Sequence, residues 1–456
     1  MPTVYQPDAL FTGGALRPGA ALAVGDDGRV LAAAPPGAAV VPLPGRVLLP
    51  GLVNAHSHAF QRVLRGRTEH RAGGAERDDF WSWRELMYAA AASLTPDEVY
   101  AVSRQAFLEM ALCGVTAVGE FHYLHHRPDG TPYADVHELA LQVARAAEEV
   151  GLRLVLLRVA YARAGFEVPA NPRQRRFLDP TVEVALQRTV DLAGRLKGRA
   201  TVGLAPHSVR AVPRPWLEVV AREWRNGPLH LHAAEQRAEL EACQREHGLG
   251  PVELLDAVGL LRPGTTLVHG IHLAEAEVAR LGASQASVCA CPSTEANLGD
   301  GVVPADALQR AGVALSLGSD SQAQVDLLGE ARLLEAHLRL VRQRRNVLDP
   351  GGGPQAQAAF LLQAATAGGA ASLGLDTGRL EPGRPADFFT VDRHHPALAG
   401  LPDQALLAGV LFAAPPAAVR EVAVQGRLIV QGGVHPGAEA AARGFGQVMG
   451  RLVGRS

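Results

Sequence analysis

His56 and His58 close an apolar run, VLLPGLVNAHSH (Val47 to His58), with one residue between them. On an extended strand successive side chains point to opposite faces, so the two imidazoles share a face with Cα atoms roughly 6.6 Å apart. That spacing suits two ligands of one metal ion, although a strand-end histidine is often no more than a hydrogen-bonded polar residue. Matching groups recur at the ends of other apolar runs: His232 in PLHLHAAEQ, His269 in TTLVHGIHL and Asp320 in VALSLGSDS. Zinc in a catalytic site takes histidine and carboxylate ligands and keeps a position open for water. The pattern therefore predicts a zinc site of His56, His58, His232 and Asp320, with His269 just outside the ligand set.

Such a site points to hydrolysis. Metal binding lowers the pKa of water from about 15.7 to about 7, which a lone carboxylate cannot do. Asp320 is placed to accept the proton of that water, and His269 to hydrogen-bond the water or the developing oxyanion. Glu235 follows His232 in HAAE, where it can carry a proton to a departing nitrogen. The structural alternative for Glu235 is a helix-entry carboxylate stabilised by the helix dipole.

These groups sit far apart in sequence and converge only if their strands close into a ring. Eight apolar runs are present, at 47–58, 114–123, 152–161, 200–209, 228–236, 265–273, 286–294 and 313–321. Segments that read as helices separate them: Pro96 to Cys113, Val136 to Val150, Pro180 to Leu196, Trp216 to Trp224, Val252 to Val258, Ala274 to Arg280 and Pro304 to Arg310. Near-continuous apolar strands alternating with helices indicate a parallel sheet, and eight such units an α/β fold of the (β/α)8 TIM-like barrel type, with all the polar ends at one mouth. An open doubly wound sheet competes, but the GxGxxG fingerprint of its nucleotide-binding members is absent. Helical patterns follow at Leu327 to Arg345 and Gln355 to Leu373, then strand-like pieces at Ala386 to Val391, Val419 to Val424 and Arg427 to Val430. Those pieces are natural partners for the short strands before Val47. The expected organisation is a small β-sandwich domain from both termini (1–46 and 379–456) around a barrel at 47–378.

A net charge of −2 gives no general attraction to nucleic acid or to an anionic membrane, so an anionic ligand must be held by specific local groups. Lys197 is the single lysine among 44 basic residues, which fits codon bias and leaves one candidate for any lysine chemistry. Four scattered cysteines make no disulfide framework, the N-terminal segment lacks the features of a signal peptide, and no run reaches the roughly 18 apolar residues of a membrane span. A cytoplasmic location is expected.

PGLVNAHSH, HLHAAE, LVHGIHL and LGSDS together resemble the amidohydrolase superfamily, in its mononuclear-zinc deaminase branch. Binuclear members of that superfamily bridge two metals with a carbamylated lysine at the end of strand four. Here that strand ends in Ala205, Pro206 and His207, and Lys197 precedes it, so the resemblance implies one zinc ion per subunit. Within the branch, HSHAFQRVLRGRTE (56–69), FWSWRELMY (80–88), GEFHYLHH (119–126), APHSVRAV (205–212) and HLHAAEQ (230–236) are similar to enzymes of histidine degradation. Those enzymes hydrolyse N-formimino-L-glutamate to N-formyl-L-glutamate and ammonia.

The implied substrate is a small dicarboxylate with a cationic formimino group. Arginine forks suit carboxylates, and Arg84 and Arg210 are the candidates in these motifs. Gln61, Tyr123 and His207 complete the implied pocket. Arg84 lies in the long loop after strand one and can serve its own site or that of a neighbouring subunit in the homodimer that is the expected assembly. Phe80, Trp81 and Trp83 read equally as a water-excluding lid or a dimer contact. His122, His125 and His126 receive no role, and Cys289 and Cys291 read as small buried barrel residues with no histidine nearby. Two other functions compete: a deaminase acting on a nucleobase or modified adenosine, whose flat substrates favour stacking and amide readout, and a non-catalytic barrel scaffold.

Overall fold

The computed structural model describes residues 1–70, 79–225 and 227–454. Each apolar run contains one strand of a single parallel sheet: Leu52–Ser57, Val115–His122, Arg153–Ala160, Thr201–Pro206, Leu229–Ala233, Thr265–His269, Ser287–Ala290 and Ala314–Leu317. Neighbours in sequence are neighbours in the sheet, so every crossover is a local strand–helix–strand unit. Burial on both faces explains the unbroken apolar character; every residue of Val115–His122 is buried.

The ring closes between the first and eighth strands. Ser57 bridges Asp320 in parallel. Backbone bonds reinforce it, from His58 N to the Asp320 carbonyl (2.9 Å) and from Asp320 N to the His56 carbonyl (3.0 Å). The approach is close enough to require glycine: a Cβ on Gly318 would lie 2.7 Å from His56 Cβ and 2.8 Å from its carbonyl oxygen. Closure of the barrel and juxtaposition of His56 with Asp320 are thus one structural event.

Strands from both chain ends form a second, seven-stranded mixed sheet. Ala39–Pro50 lies at its centre, between the N-terminal strand Thr3–Thr12 and the C-terminal strand Phe388–Asp392. This sheet has its own apolar core, which includes Tyr5, Leu22, Leu48 and Phe388. The run beginning at Val47, which reads as one strand in sequence, is two. Val47 to Pro50 pair with Phe388 to Val391 in the terminal sheet, and the barrel strand starts at Leu52. Proline and glycine at 50 and 51 make the transition, and Gly51 is pressed so tightly on Thr116 that an added Cβ would stand 2.2 Å from its Oγ1. The handover therefore falls at Gly51 rather than after residue 46.

The helix Pro96–Leu112 starts with proline in its first turn and a capping box between Thr95 and Glu98. Glu98 also accepts a hydrogen bond from Arg451 Nη2 (2.7 Å), which pins the C-terminal helix Ala438–Val453 against this outer layer. Among the described residues no helix is long and apolar enough to cross a membrane.

Candidate active site

His56 and His58 come from the first barrel strand and its exit, His232 from the fifth, and Asp320 from the turn after the eighth. All four are buried. The Nε2 atoms of His58 and His232 each lie 3.2 Å from His56 Nε2, and Asp320 Oδ1 lies 3.2 Å from His58 Nε2 and 3.5 Å from His56 Nε2. A carbonyl oxygen can only accept, so the contacts of His58 Nδ1 with the Phe121 carbonyl (3.0 Å) and of His232 Nδ1 with the His207 carbonyl (2.9 Å) fix both tautomers. Each ring then turns its Nε2 lone pair inward. Burial holds His56 at a pKa of about 3, so its ring is neutral. Neutral imidazole nitrogens and a carboxylate aimed at one point form the donor set of a divalent cation.

Beneath this cluster lies a buried polar network. Asn54 Nδ2 donates to Ser319 Oγ (2.7 Å) and Ser319 N donates back to Asn54 Oδ1 (3.0 Å). Ser319 Oγ donates to Gln322 Oε1 (3.0 Å), Gln322 Nε2 to Ser57 Oγ (2.8 Å), and Ser57 Oγ to Glu120 Oε2 (2.6 Å). Glu120 Oε1 accepts from Ala59 N (2.8 Å), so strands one, two and eight are tied together under the ligands.

His269 ends strand six with Nε2 3.7 Å from Asp320 Oδ2 and 3.6 Å from Glu235 Oε1. Burial alone would lower its pKa, but the surrounding carboxylates, Glu235 foremost, hold it well above the usual imidazole value. His269, Asp320 and Ala234 all have left-handed backbones, with φ of 74°, 45° and 55°. Such residues cost of order ~1–3 kcal/mol each and cluster where function over-determines the conformation.

The mouth of the cleft is lined by Gln61, Arg84, Tyr123, His207, Arg210 and Glu235, above His58, His232, His269 and Asp320. All the candidate residues named from sequence thus meet in one place, with His56 beneath. Arg84 lies not in a loop but on a helix, Phe80–Ser93, capped by Asp79 through bonds from Trp81 N (3.0 Å) and Ser82 N (3.2 Å). Its guanidinium stacks over Trp81 (4.5 Å) and Tyr88 (5.5 Å) and faces the cleft of its own chain. Arg210 is buried, with Nη2 3.6 Å from Glu235 Oε2 and Nη1 3.7 Å from Glu239 Oε2. Burial pushes Glu239 up to about 7 against the pull of Arg210. Gln61 Nε2 donates to Tyr123 Oη (2.7 Å).

Several lining residues were not anticipated: Tyr88, Tyr161, Phe177 and Leu298. Tyr88 and Tyr161 share one donor, Gln174 Nε2 (3.0 and 2.8 Å), and nothing in their local sequence distinguishes them from core aromatics. Phe80 and Trp83 line the cleft, whereas Trp81 is partly exposed. His125 and His126 donate to the carbonyls of Val159 (2.9 Å) and Leu178 (2.8 Å), away from the cleft. Cys291, by contrast, does have a histidine beside it: His269, Cys291 and Glu295 place potential ligand atoms within 4.8 Å of one another. Adjacent strands six and seven end at the same height, a proximity that spacing along either strand alone does not show.

Residues 47–429 match the family described as the amidohydrolase family. A formimidoylglutamate deiminase of Pseudomonas aeruginosa is 42% identical over 412 residues, covering 90% of each chain. An 8-oxoguanine deaminase of the same organism is 32% identical over 84% of each chain. Among solved structures, an amidohydrolase from Brucella melitensis superposes with a TM-score of 0.90 at 34% identity, covering 99% of this chain and 100% of that one. An adenosine deaminase from Xanthomonas campestris with bound zinc superposes with a TM-score of 0.79 at 25% identity, covering 98% of both.

Proposed function

The chain belongs to the amidohydrolase family, and from that membership we propose that it hydrolyses N-formimino-L-glutamate to N-formyl-L-glutamate and ammonia, using one zinc ion per subunit. The observation that carries the substrate reading is the pair of guanidinium groups in the cleft. Arg84 Nε and Arg210 Nη1 are buried without a protein hydrogen bond, in the same cleft as the histidine–aspartate cluster. A ligand with two carboxylates answers both. A neutral purine can accept hydrogen bonds from a guanidinium but offers no charge to match two of them. The 42% identity to a formimidoylglutamate deiminase supports the same reading.

When held by His56, His58, His232 and Asp320, the zinc ion supplies the Lewis acidity that makes water a nucleophile near neutral pH. The protein's own groups then divide the proton transfers. Asp320 Oδ2, turned toward His269, takes up the proton of the attacking water. His269 Nε2 hydrogen-bonds the charge that develops on attack at the formimino carbon. Glu235, on the other side of His269, relays that proton to the leaving nitrogen, and ammonia departs as the remaining hydroxyl proton passes to Asp320 and the carbonyl forms. Gln61, Tyr123 and His207 line the space between the reacting carbon and the two arginines. Four buried unpaired thiols suit a reducing cytoplasm. A homodimer is the proposed assembly, with exposed Trp81 and Leu86 as apolar groups for a second copy to cover.

The deciding experiment measures ammonia release by the zinc-loaded enzyme from N-formimino-L-glutamate beside 8-oxoguanine and 5-methylthioadenosine. Turnover confined to the first is expected. Turnover of either purine with none of the first would overturn the substrate assignment.

A further inference from the structure

His269 is anchored from behind. Its Nδ1 lies 3.3 Å from Glu295 Oε1, on the opposite side of the ring from the cleft. Glu295 is 1% exposed and sits in the first turn of the helix Pro292–Leu298. The same Oε1 accepts a hydrogen bond from Cys291 N (2.7 Å), which sets the carboxylate's position without help from His269. On the far side of the helix, Ser293 N donates to Glu330 Oε2 (2.8 Å), so the turn carrying Glu295 is clamped to the helix Leu327–Arg342 as well.

An imidazole has two nitrogens, and the partner of one determines what the other can do. With Nδ1 turned to Glu295, Nε2 is left facing Glu235 and Asp320. Release of that anchor permits the ring to rotate about its Cβ–Cγ bond and exchange nitrogen for carbon at the cleft. We propose that Glu295 is a positioning residue, which accepts the Nδ1–H of His269 and fixes its ring orientation so that Nε2 faces the reacting atoms. It acts as the buried aspartate of an acyl-transfer triad acts on its histidine. Nothing in CPSTEANLGDG singles out this glutamate; the strand-seven to helix turn had to be placed beside strand six first.

The inference rests on the hydrolase reading, and its test includes one arm that needs no turnover. In zinc-loaded enzyme labelled with 15N-histidine, a downfield Nδ1–H resonance assigned through its loss in His269→Ala is expected to disappear in Glu295→Ala. Its persistence would overturn the anchor whatever the substrate proves to be. In steady state, Glu295→Ala is expected to lower kcat about 100-fold and Glu295→Gln about tenfold, with KM changed less than about threefold and zinc content unchanged. In a His269→Ala background the same substitutions are expected to add less than about twofold, because the group they act through is gone. An undiminished effect in that background, or single variants within about twofold of wild type, would refute the proposal. Should Glu295→Ala fail to fold, Glu295→Gln alone and in the His269→Ala background decides the question.

Discussion

Under the converging histidines, Asn54, Ser57, Glu120, Ser319 and Gln322 answer one another's hydrogen bonds. At the mouth of the same cleft, Gln61 Oε1 and Arg84 Nε are buried with no protein hydrogen bond, and Arg210 Nη1 has only its 3.7 Å ion pair with Glu239. Buried polar groups are almost always paired, and an orphan is costly. The two ends of the cleft are therefore completed differently. The floor is closed by the protein itself, apart from His56 Nδ1 and the inward-facing donor set, whereas the mouth has donors and acceptors left for a ligand to meet. The floor's network is complete within the protein, and the mouth has hydrogen-bonding capacity left over.

The sharpest test of that contrast is Asp320→Ala. Turnover is expected to fall by about 10⁴-fold, to the assay background, because both the ligand and the proton acceptor are lost. Zinc content measured by emission spectrometry should fall with it. The Asn54–Ser319–Gln322 network does not run through the Asp320 side chain, so thermal unfolding should stay near the wild-type temperature. A collapse of the fold would mean that the floor is not self-sufficient.

Next come the arginines. Arg210→Met leaves Glu235 and Glu239 buried without their counter-charge as well as losing a carboxylate contact, so kcat/KM for N-formimino-L-glutamate is expected to fall by about 10²–10³-fold, equivalent to roughly 3–4 kcal/mol. Arg84 is only half-buried and stacks on Trp81 and Tyr88, and Arg84→Met is expected to cost about tenfold to 100-fold. Equal, small effects from both would show that the unpaired groups at the mouth do not bind the carboxylates.

The floor was more legible in sequence than the mouth, for a physical reason. Its histidines and aspartate ride on strand ends, where the two-residue period, the apolar run and the polar stop are all local, so His56, His58, His232, His269 and Asp320 are legible from sequence alone. The mouth is built from elements whose contacts are long-range. Arg84 is delivered by a helix whose aromatic sequence, FWSWRELMY, looks like a lid or a dimer contact. Tyr161 and Phe177 reach the cleft from the strand-three exit and the segment beyond, where an aromatic residue has no feature marking it as a pocket wall. Arg210 was found because it follows a strand end by a few residues, an intermediate case. The reading of Val47 to His58 as one run fails for a similar reason: periodicity does not show a change of sheet, and only the Pro50–Gly51 pair signals it.

Glu330 carries the smallest expected effect and places a limit on how settled the floor is. It lies buried behind the site, accepts from Ser293, and burial pushes its pKa up to about 8 from an ordinary value of 4.5. A carboxyl whose folded pKa is raised binds its proton more tightly in the native state, so its contribution to stability is complete below about pH 4.5 and is lost as pH rises toward 8. Glu330→Gln keeps an acceptor for Ser293 without a charge to bury. The variant is expected to match the wild type in denaturant stability near pH 5 and to exceed it near pH 8, with turnover at pH 7 changed less than about twofold. Parallel stability–pH curves for the two proteins would show that the Glu330 site accommodates the charge, and that the clamp behind Glu295 draws on an ionised carboxylate rather than a neutral one.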